Sequence, residues 1–137
     1  MVDGVAVVDA DALIALILEK DPNHNRALDI ASNLDRDGVE LVFPDTVLPE
    51  AMTTLVRAID QPLKAHFINK KLQDGEFHIE YIKEAVYLRA AEIFESAKSK
   101  KNTFFDAIVM AVAEDLGTKL IFSFDKWYPK VGFKLAS

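Results

Sequence analysis

The sequence contains no cysteine, and this absence excludes two large classes of small protein. Without cysteine there is neither a disulfide framework nor a thiolate metal site, and the composition fits a reducing compartment. Glycine is also scarce, with 5 residues in 137, and none of them forms a glycine-rich phosphate loop. No stretch reaches the roughly 20 consecutive apolar residues that a membrane-spanning helix needs.

Positive charge is in short supply as well. The chain has 16 Lys and Arg against 22 Asp and Glu, which argues against a simple basic nucleic-acid-binding module. Residues 1–60 hold 12 acidic and 4 basic residues, whereas residues 61–137 hold 10 acidic and 12 basic. The basic residues of the second part include Lys98, Lys100 and Lys101, just before Asp106. They form either a local basic rim or ordinary solvated surface.

The chain is rich in hydrophobic residues, and they occur in short segments. Half of the residues are hydrophobic, which is enough to predict one folded domain over residues 1–137. Apolar runs predict strands at 5–8, 41–43, 77–79, 120–122 and 133–135. Helical periodicity, caps and prolines predict helices at 10–19, 22–34, 47–59, 62–72, 80–97 and 104–116. This alternation predicts an α/β protein, a three-layer α/β/α sandwich around a mainly parallel central sheet.

The first residues, MVDGVAVVDADAL, do not resemble a secretory signal peptide. Asp stands where such a signal carries Lys or Arg, and acids interrupt the apolar run. We therefore expect a cytoplasmic protein without a membrane partner.

Acidic residues lie in four of the apolar segments: Asp9, Glu50, Asp106 and Asp125. Asp9 and Asp125 follow predicted strands, whereas Glu50 and Asp106 lie in the early turns of helices. The carboxyl ends of parallel strands meet at one edge of a sheet, so all of these acids are expected to converge there. Carboxylates so placed repel one another unless a cation lies between them, and oxygen ligands suit Mg²⁺ or Mn²⁺. Each acid taken alone is also explained as a helix cap or a turn residue.

Segments carrying these acids resemble those of PIN-domain ribonucleases, and most of all the VapC toxins of toxin–antitoxin pairs. The resemblance rests on VVDADALIAL, PDTVLPEAMTTL, TFFDAIVMAVAEDLG and LIFSFDKWY, in this order along nearly the whole chain. It implies a PIN-like fold and an endoribonuclease that hydrolyses RNA with Mg²⁺ or Mn²⁺. It also implies a homodimer and an antitoxin protein that covers the active site. The acids implied as catalytic and metal-binding are Asp9, Glu50, Asp106 and Asp125, with Ser123 as a supporting hydroxyl.

One position departs from the family pattern. Two residues after the first Asp the family usually has Ser or Thr, whereas this chain has Asp11. Asp11 either caps the first helix, which we favour, or adds a fifth carboxylate to the site.

Two other functions compete with the nuclease. The pair Asp9 and Asp11 after a strand is similar to the motif of haloacid-dehalogenase-like phosphatases, although Leu13 stands where that family has Thr or Val. The domain could also be a non-catalytic PIN-like scaffold that binds RNA or protein.

Several apolar residues have more than one interpretation. The aromatic pairs Phe104–Phe105 and Trp127–Tyr128 could stack on a base or pack in the protein, and we favour packing. Apolar residues cover more than one face of the 47–59 helix, and Phe67 and Ile68 do the same on the next helix. Both patterns fit either a buried helix or a dimer interface.

Overall fold

The computed structural model describes residues 4–137, and five parallel strands form its central sheet. The spatial order of the strands is β3-β2-β1-β4-β5. Their bounds are β1 Val5–Val8, β2 Glu40–Pro44, β3 Ile79–Glu80, β4 Leu120–Phe122 and β5 Lys134–Leu135. β1 and β4 are buried along almost their whole length, as expected for strands covered on both faces.

Seven helices of the described chain cover the two faces of this sheet. Helices α1 to α4 pack against one another on one side, and α5 packs on α6 on the other. Their bounds are α1 Ala10–Ile17, α2 His24–Arg36, α3 Val47–Arg57, α4 Pro62–Gln73, α5 Glu84–Glu95, α6 Phe104–Leu116 and α7 Trp127–Lys130. The three-layer α/β/α fold with a parallel sheet is therefore confirmed. None of these helices combines the length and apolar character needed to cross a membrane.

Some element boundaries differ from the predicted ones, each for a local reason. The second helix begins at His24 and not at Pro22, because the Asp21 carboxylate accepts a hydrogen bond from the Asn23 N–H and closes a turn there. The fifth helix begins at Glu84 and not at Glu80, because Glu80 pairs with Pro44 in the sheet. The short helix α7 had not been predicted.

Residues that fitted either a core or a dimer interface divide between the two environments. Val47 and Leu55 of α3 and Ile68 of α4 are fully buried in the core. Val56 and Phe67 are about half exposed. The first three therefore belong to the core, and only the last two are available to a partner.

The strand order creates a crevice beside β1. The chain leaves β1 toward β2 on one side, and β4 is added on the other side, so the connections diverge at the carboxyl ends of β1 and β4. Such a switch point is the usual ligand site of an open α/β sheet. Helix α6 leads into β4 and packs on β1, β2 and β4, so its N-terminus lies at this same edge.

Candidate active site

Asp9 lies in the floor of the crevice. Val8 pairs with Phe122 across β1 and β4, and the next N–H, that of Asp9, donates to the Phe122 carbonyl at 3.0 Å. The Asp9 Oδ1 accepts from the Ala10 N–H at 2.7 Å, so Asp9 is the N-cap of α1. Its side chain is only 4% exposed. A carboxylate is thus held rigidly at the end of a buried strand.

Asp11 connects the end of β1 to the end of β4. Its Oδ2 accepts from the Ser123 hydroxyl at 3.0 Å and from the Phe124 N–H at 2.8 Å. The expectation that Asp11 caps the first helix was wrong, since Asp9 occupies the cap and Asp11 lies in the first turn. Because β1 and β4 are neighbours, Asp11 reaches across to the backbone that follows β4. The Asp11 Oδ1 is buried and has no hydrogen-bond partner within residues 4–137.

Asp106 is fixed by the start of α6. Its N–H donates to the Thr103 hydroxyl at 3.3 Å, and its Oδ2 accepts from the Thr103 N–H at 3.0 Å. These two reciprocal bonds form a capping box. The box uses one carboxylate oxygen, and the other, Oδ1, lies 3.4 Å from the hydroxyl of Tyr128.

Glu50 and Asp125 are the two half-buried acids of this group. Glu50 is half-buried in the first turn of α3, and its Oε1 has no partner in the described chain. Asp125 is half-buried three residues beyond β4, where its Oδ1 accepts from the Trp127 N–H at 2.9 Å and its own N–H donates to the Ser123 hydroxyl at 3.1 Å. Asp125 makes no hydrogen bond to the other acids, but its charge acts on Asp11 and Asp106.

Tyr128 completes the site, and sequence reasoning had not assigned it this place. The side chain is fully buried, and its hydroxyl donates to Asp9 Oδ2 at 2.6 Å. Packing was the favoured interpretation of this residue, and the hydrogen bond adds a polar role. The available signal was that a buried tyrosine usually finds a partner for its hydroxyl, and acids are abundant near its position.

Burial and mutual repulsion disfavour negative charge in this cluster. Burial first, and then the charge of Asp11, raise the pKa of Asp9 well above its usual range, against the hydrogen bond from Tyr128. Burial, Asp106 and Asp11 together raise the pKa of Glu50 to about 7. Burial is also the main cause that raises the pKa values of Asp11 and Asp106. The protein therefore holds several carboxyl groups in a place that favours a compensating cation.

The chemistry of the cluster fits a hard divalent ion. Its side chains offer oxygen atoms only, and the Asp11 Oδ1 and Glu50 Oε1 are buried without a hydrogen-bond partner among residues 4–137. Across residues 4–137, no three acidic or histidine side chains form a ready-made metal cage. Mg²⁺ does not require one, because it keeps several waters and binds through one or two carboxylates together with substrate phosphates. The assignment of Asp9, Glu50, Asp106 and Asp125 as metal ligands stays a prediction.

A comparison with protein-family models supplies the decisive observation: the PIN domain model matches residues 6–134. The chain belongs to the PIN domain family. The resemblance stated from the motifs is thereby confirmed for nearly the whole chain.

Solved structures agree with this PIN fold. VapC20 of Mycobacterium tuberculosis, described as a toxin that cleaves the sarcin–ricin loop, superposes with a TM-score of 0.78. The match covers 95% of this chain and 96% of that one at 21% sequence identity, a level at which the likeness concerns the fold. A comparison with curated protein sequences found no match.

The raised carboxyl pKa values predict how the metal-free PIN domain responds to pH. Folded Glu50 keeps its proton up to about pH 7, whereas an ordinary Glu releases it near 4.5. The folded state therefore binds more protons, and stability present below 4.5 should be lost as the pH rises through about 7. Thermal unfolding in EDTA across this window measures the effect.

Glu50→Gln is the control for this pH series, because it removes Glu50 as a titrating group and should reduce the loss of stability across the window, while Asp9, Asp11 and Asp106 still titrate. Addition of Mg²⁺ at the upper end of the window should restore stability, since a cation that binds the folded state stabilises it. A melting temperature of the metal-free protein that rises or stays constant through the window would contradict this prediction.

Proposed function

We propose that this PIN domain is an endoribonuclease that hydrolyses RNA phosphodiester bonds with Mg²⁺ or Mn²⁺, and that it is the toxin of a toxin–antitoxin pair. The observation that carries the proposal is the set of buried and half-buried carboxylates at the switch point. Two of their oxygens have no hydrogen-bond partner in the part of the chain that the structure describes. Family membership and the fold of VapC20 support the same activity. In this proposal residues 1–137 act as one nuclease domain in the cytoplasm, as a homodimer that an antitoxin inhibits.

Each side chain has a defined part in this reaction. Asp9, Glu50, Asp106 and Asp125 would hold the metal, directly or through water, with Asp11 as a further carboxylate. When bound, the ion lowers the pKa of a water molecule and stabilises the charge that develops on the phosphate.

The supporting groups keep these acids in place. Tyr128 positions Asp9, and the Thr103 capping box positions Asp106. Ser123 holds Asp11 against the end of β4. Because these bonds exist without the substrate, the acids need little rearrangement when RNA binds.

The test is cleavage of a broad panel of RNAs by purified protein with Mg²⁺ or Mn²⁺, with the product ends mapped. A nuclease of this type leaves a 3′-hydroxyl and a 5′-phosphate, and EDTA should stop the reaction. If every RNA stays intact with either metal, the scaffold alternative replaces the nuclease. A beryllofluoride adduct on Asp9 would instead support the phosphatase alternative, which the family match does not favour.

The basic segment before α6 should contribute to RNA affinity. Lys98, Lys100 and Lys101 are exposed and form no ion pair within residues 4–137, and α6 begins three residues after Lys101 with the turn that carries Asp106. Replacing all of them by Ala should weaken binding and reduce the slope of log K against log salt by about 2. Binding of single-stranded RNA to the protein at several salt concentrations measures this slope.

A double variant, Lys70→Ala with Lys71→Ala, is the matched control. These lysines are already paired with Asp74 and Glu76, so their removal should change the slope much less. Equal slopes for the triple variant and the unmodified protein would show that the segment is ordinary surface.

A further inference from the structure

A cavity opens beside the acid cluster, between α3 and the first turn of α6. Its volume is about 410 Å³, within the usual range of ligand pockets. Glu50 belongs to both the cavity and the acid cluster, so whatever fills the cavity lies next to the proposed reaction centre. The cavity is lined by Thr46, Pro49, Glu50, Thr53, Thr54 and Phe105.

An exposed aromatic ring forms one wall of this cavity. The two adjacent phenylalanines at the start of α6 take different environments. Phe104 is half-buried, with its ring 5.5 Å from that of Tyr87 and 5.6 Å from that of Phe94. Phe105 is 43% exposed and lines the cavity. Core packing therefore explains Phe104, whereas much of the ring of Phe105 remains open to a ligand.

Two polar atoms of the cavity have no hydrogen-bond partner among residues 4–137. The Thr46 hydroxyl and the Glu50 Oε1 are both buried, and neither makes a hydrogen bond within the described chain. A buried polar atom without a partner costs stability, and either an ordered water or a ligand that reaches the atom removes this cost. The other polar lining residues, Thr53 and Thr54, carry hydroxyls that can either donate or accept.

We infer that this cavity is a subsite for one unpaired nucleobase next to the scissile phosphate, an inference that rests on the proposed nuclease function. The ring of Phe105 offers a stacking surface, and the threonine hydroxyls can reach the edge of a base. The lining contains no basic residue and one acid, so an uncharged ring fits it better than a phosphate group does.

The subsite has a consequence for the substrate class. A base inside a duplex is stacked and paired, and it cannot enter a side pocket without leaving the helix. The enzyme should therefore cut single strands and loops in which a base can turn outward. Duplex RNA of the same sequence should be cut much more slowly.

Substitution of Phe105 tests the subsite through cleavage kinetics. Phe105→Ala should raise KM for a single-stranded RNA by about 5- to 100-fold, because that is what one lost base–aromatic contact costs, and kcat should change little. Phe105→Trp should retain a low KM, while Phe105→Leu should resemble the Ala variant. Phe67→Ala is the matched control, since Phe67 is 50% exposed on α4 and does not line this cavity.

An abasic substrate makes the test specific to the base. The bases on either side of the scissile phosphate are removed in turn from the RNA. One of these RNAs should show a raised KM with the unmodified protein and no further rise with Phe105→Ala. Two results would overturn the subsite while leaving the nuclease proposal intact. One is an unchanged KM for Phe105→Ala, and the other is an equally large rise in KM on base removal when Phe105 is already replaced by Ala.

A binding measurement separates this inference from the proposed function. A single-stranded oligonucleotide carrying 2-aminopurine should lose fluorescence on binding to the Asp9→Asn protein, and the Phe105→Ala change in that background should reduce the quenching. If the unmodified protein cuts no RNA, the nuclease proposal fails. In that case, equal quenching by the Asp9→Asn protein and by the double variant with Phe105→Ala overturns the subsite as well. Weaker quenching by the double variant supports the cavity as a base-binding site.

Discussion

Replacement of Asp9 by Asn should abolish RNA cleavage while the folded structure is retained. Asp9 is buried at the switch point, and its carboxylate accepts a hydrogen bond from the Tyr128 hydroxyl. In the proposed mechanism, loss of this charge would weaken the binding of the metal, and such an ion contributes several kcal/mol to transition-state stabilisation. We expect kcat/KM to fall by about 10³-fold or more, as each 1.36 kcal/mol corresponds to a factor of ten.

The same substitution should stabilise the metal-free protein. The pKa of Asp9 is raised well above normal, which means that its negative charge is unfavourable in the folded state. Asn has nearly the same shape: its single oxygen can keep the N-cap bond from the Ala10 N–H, and its amide group can donate to the Tyr128 hydroxyl. We expect the free energy of unfolding in EDTA at neutral pH to rise by about 0.5–2 kcal/mol, the common gain of a single stabilising substitution.

Cleavage assays and denaturant unfolding of both proteins test the two effects together. Asp45→Asn is the matched control, because Asp45 follows β2 at the same edge but accepts its hydrogen bond from the Ile82 N–H. It should cut RNA at nearly the unmodified rate. Full cleavage by Asp9→Asn would refute the proposed site, and a destabilised Asp9→Asn protein would refute the account of its electrostatics.

Two substitutions of Tyr128 should separate the contribution of its ring to stability from the contribution of its hydroxyl to the site. Tyr128→Ala removes a fully buried ring, and a loss of about 3–5 kcal/mol is expected for such a cavity. This is a large part of the roughly 5–15 kcal/mol that stabilises an ordinary domain. Denaturant midpoints of the variant and the unmodified protein measure this effect.

Tyr128→Phe keeps the ring and removes only the hydroxyl that donates to Asp9 at 2.6 Å. Loss of such a positioning bond typically lowers metal affinity or activity by about 10- to 100-fold. Titration of Mn²⁺ into the protein measures affinity without cleavage. Tyr87→Phe is the control, since Tyr87 is half exposed on α5 and its hydroxyl makes no hydrogen bond in the described chain. Unchanged Mn²⁺ affinity in Tyr128→Phe would show that the hydroxyl does not position Asp9 for metal binding.

Local sequence carried enough information for the fold and for most of the acids. The run at Val5–Val8 is continuous and apolar because both faces of β1 are covered, and the capping box at Thr103 depends on residues only three apart. Such short-range signals need no knowledge of the rest of the chain. The boundaries at His24 and Glu84 were missed because a side-chain turn and a strand pairing override helical periodicity.

Sequence patterns alone predict the α/β architecture, the PIN resemblance and the acids that belong to the motifs. Packing of the whole chain brings Asp11 to Ser123 and the Tyr128 hydroxyl to Asp9, and it forms the cavity that Phe105 and Glu50 line. The first two contacts join residues more than a hundred positions apart. They exist because β4 is added beside β1, and strand adjacency of this kind is a property of the packed chain that no local pattern encodes.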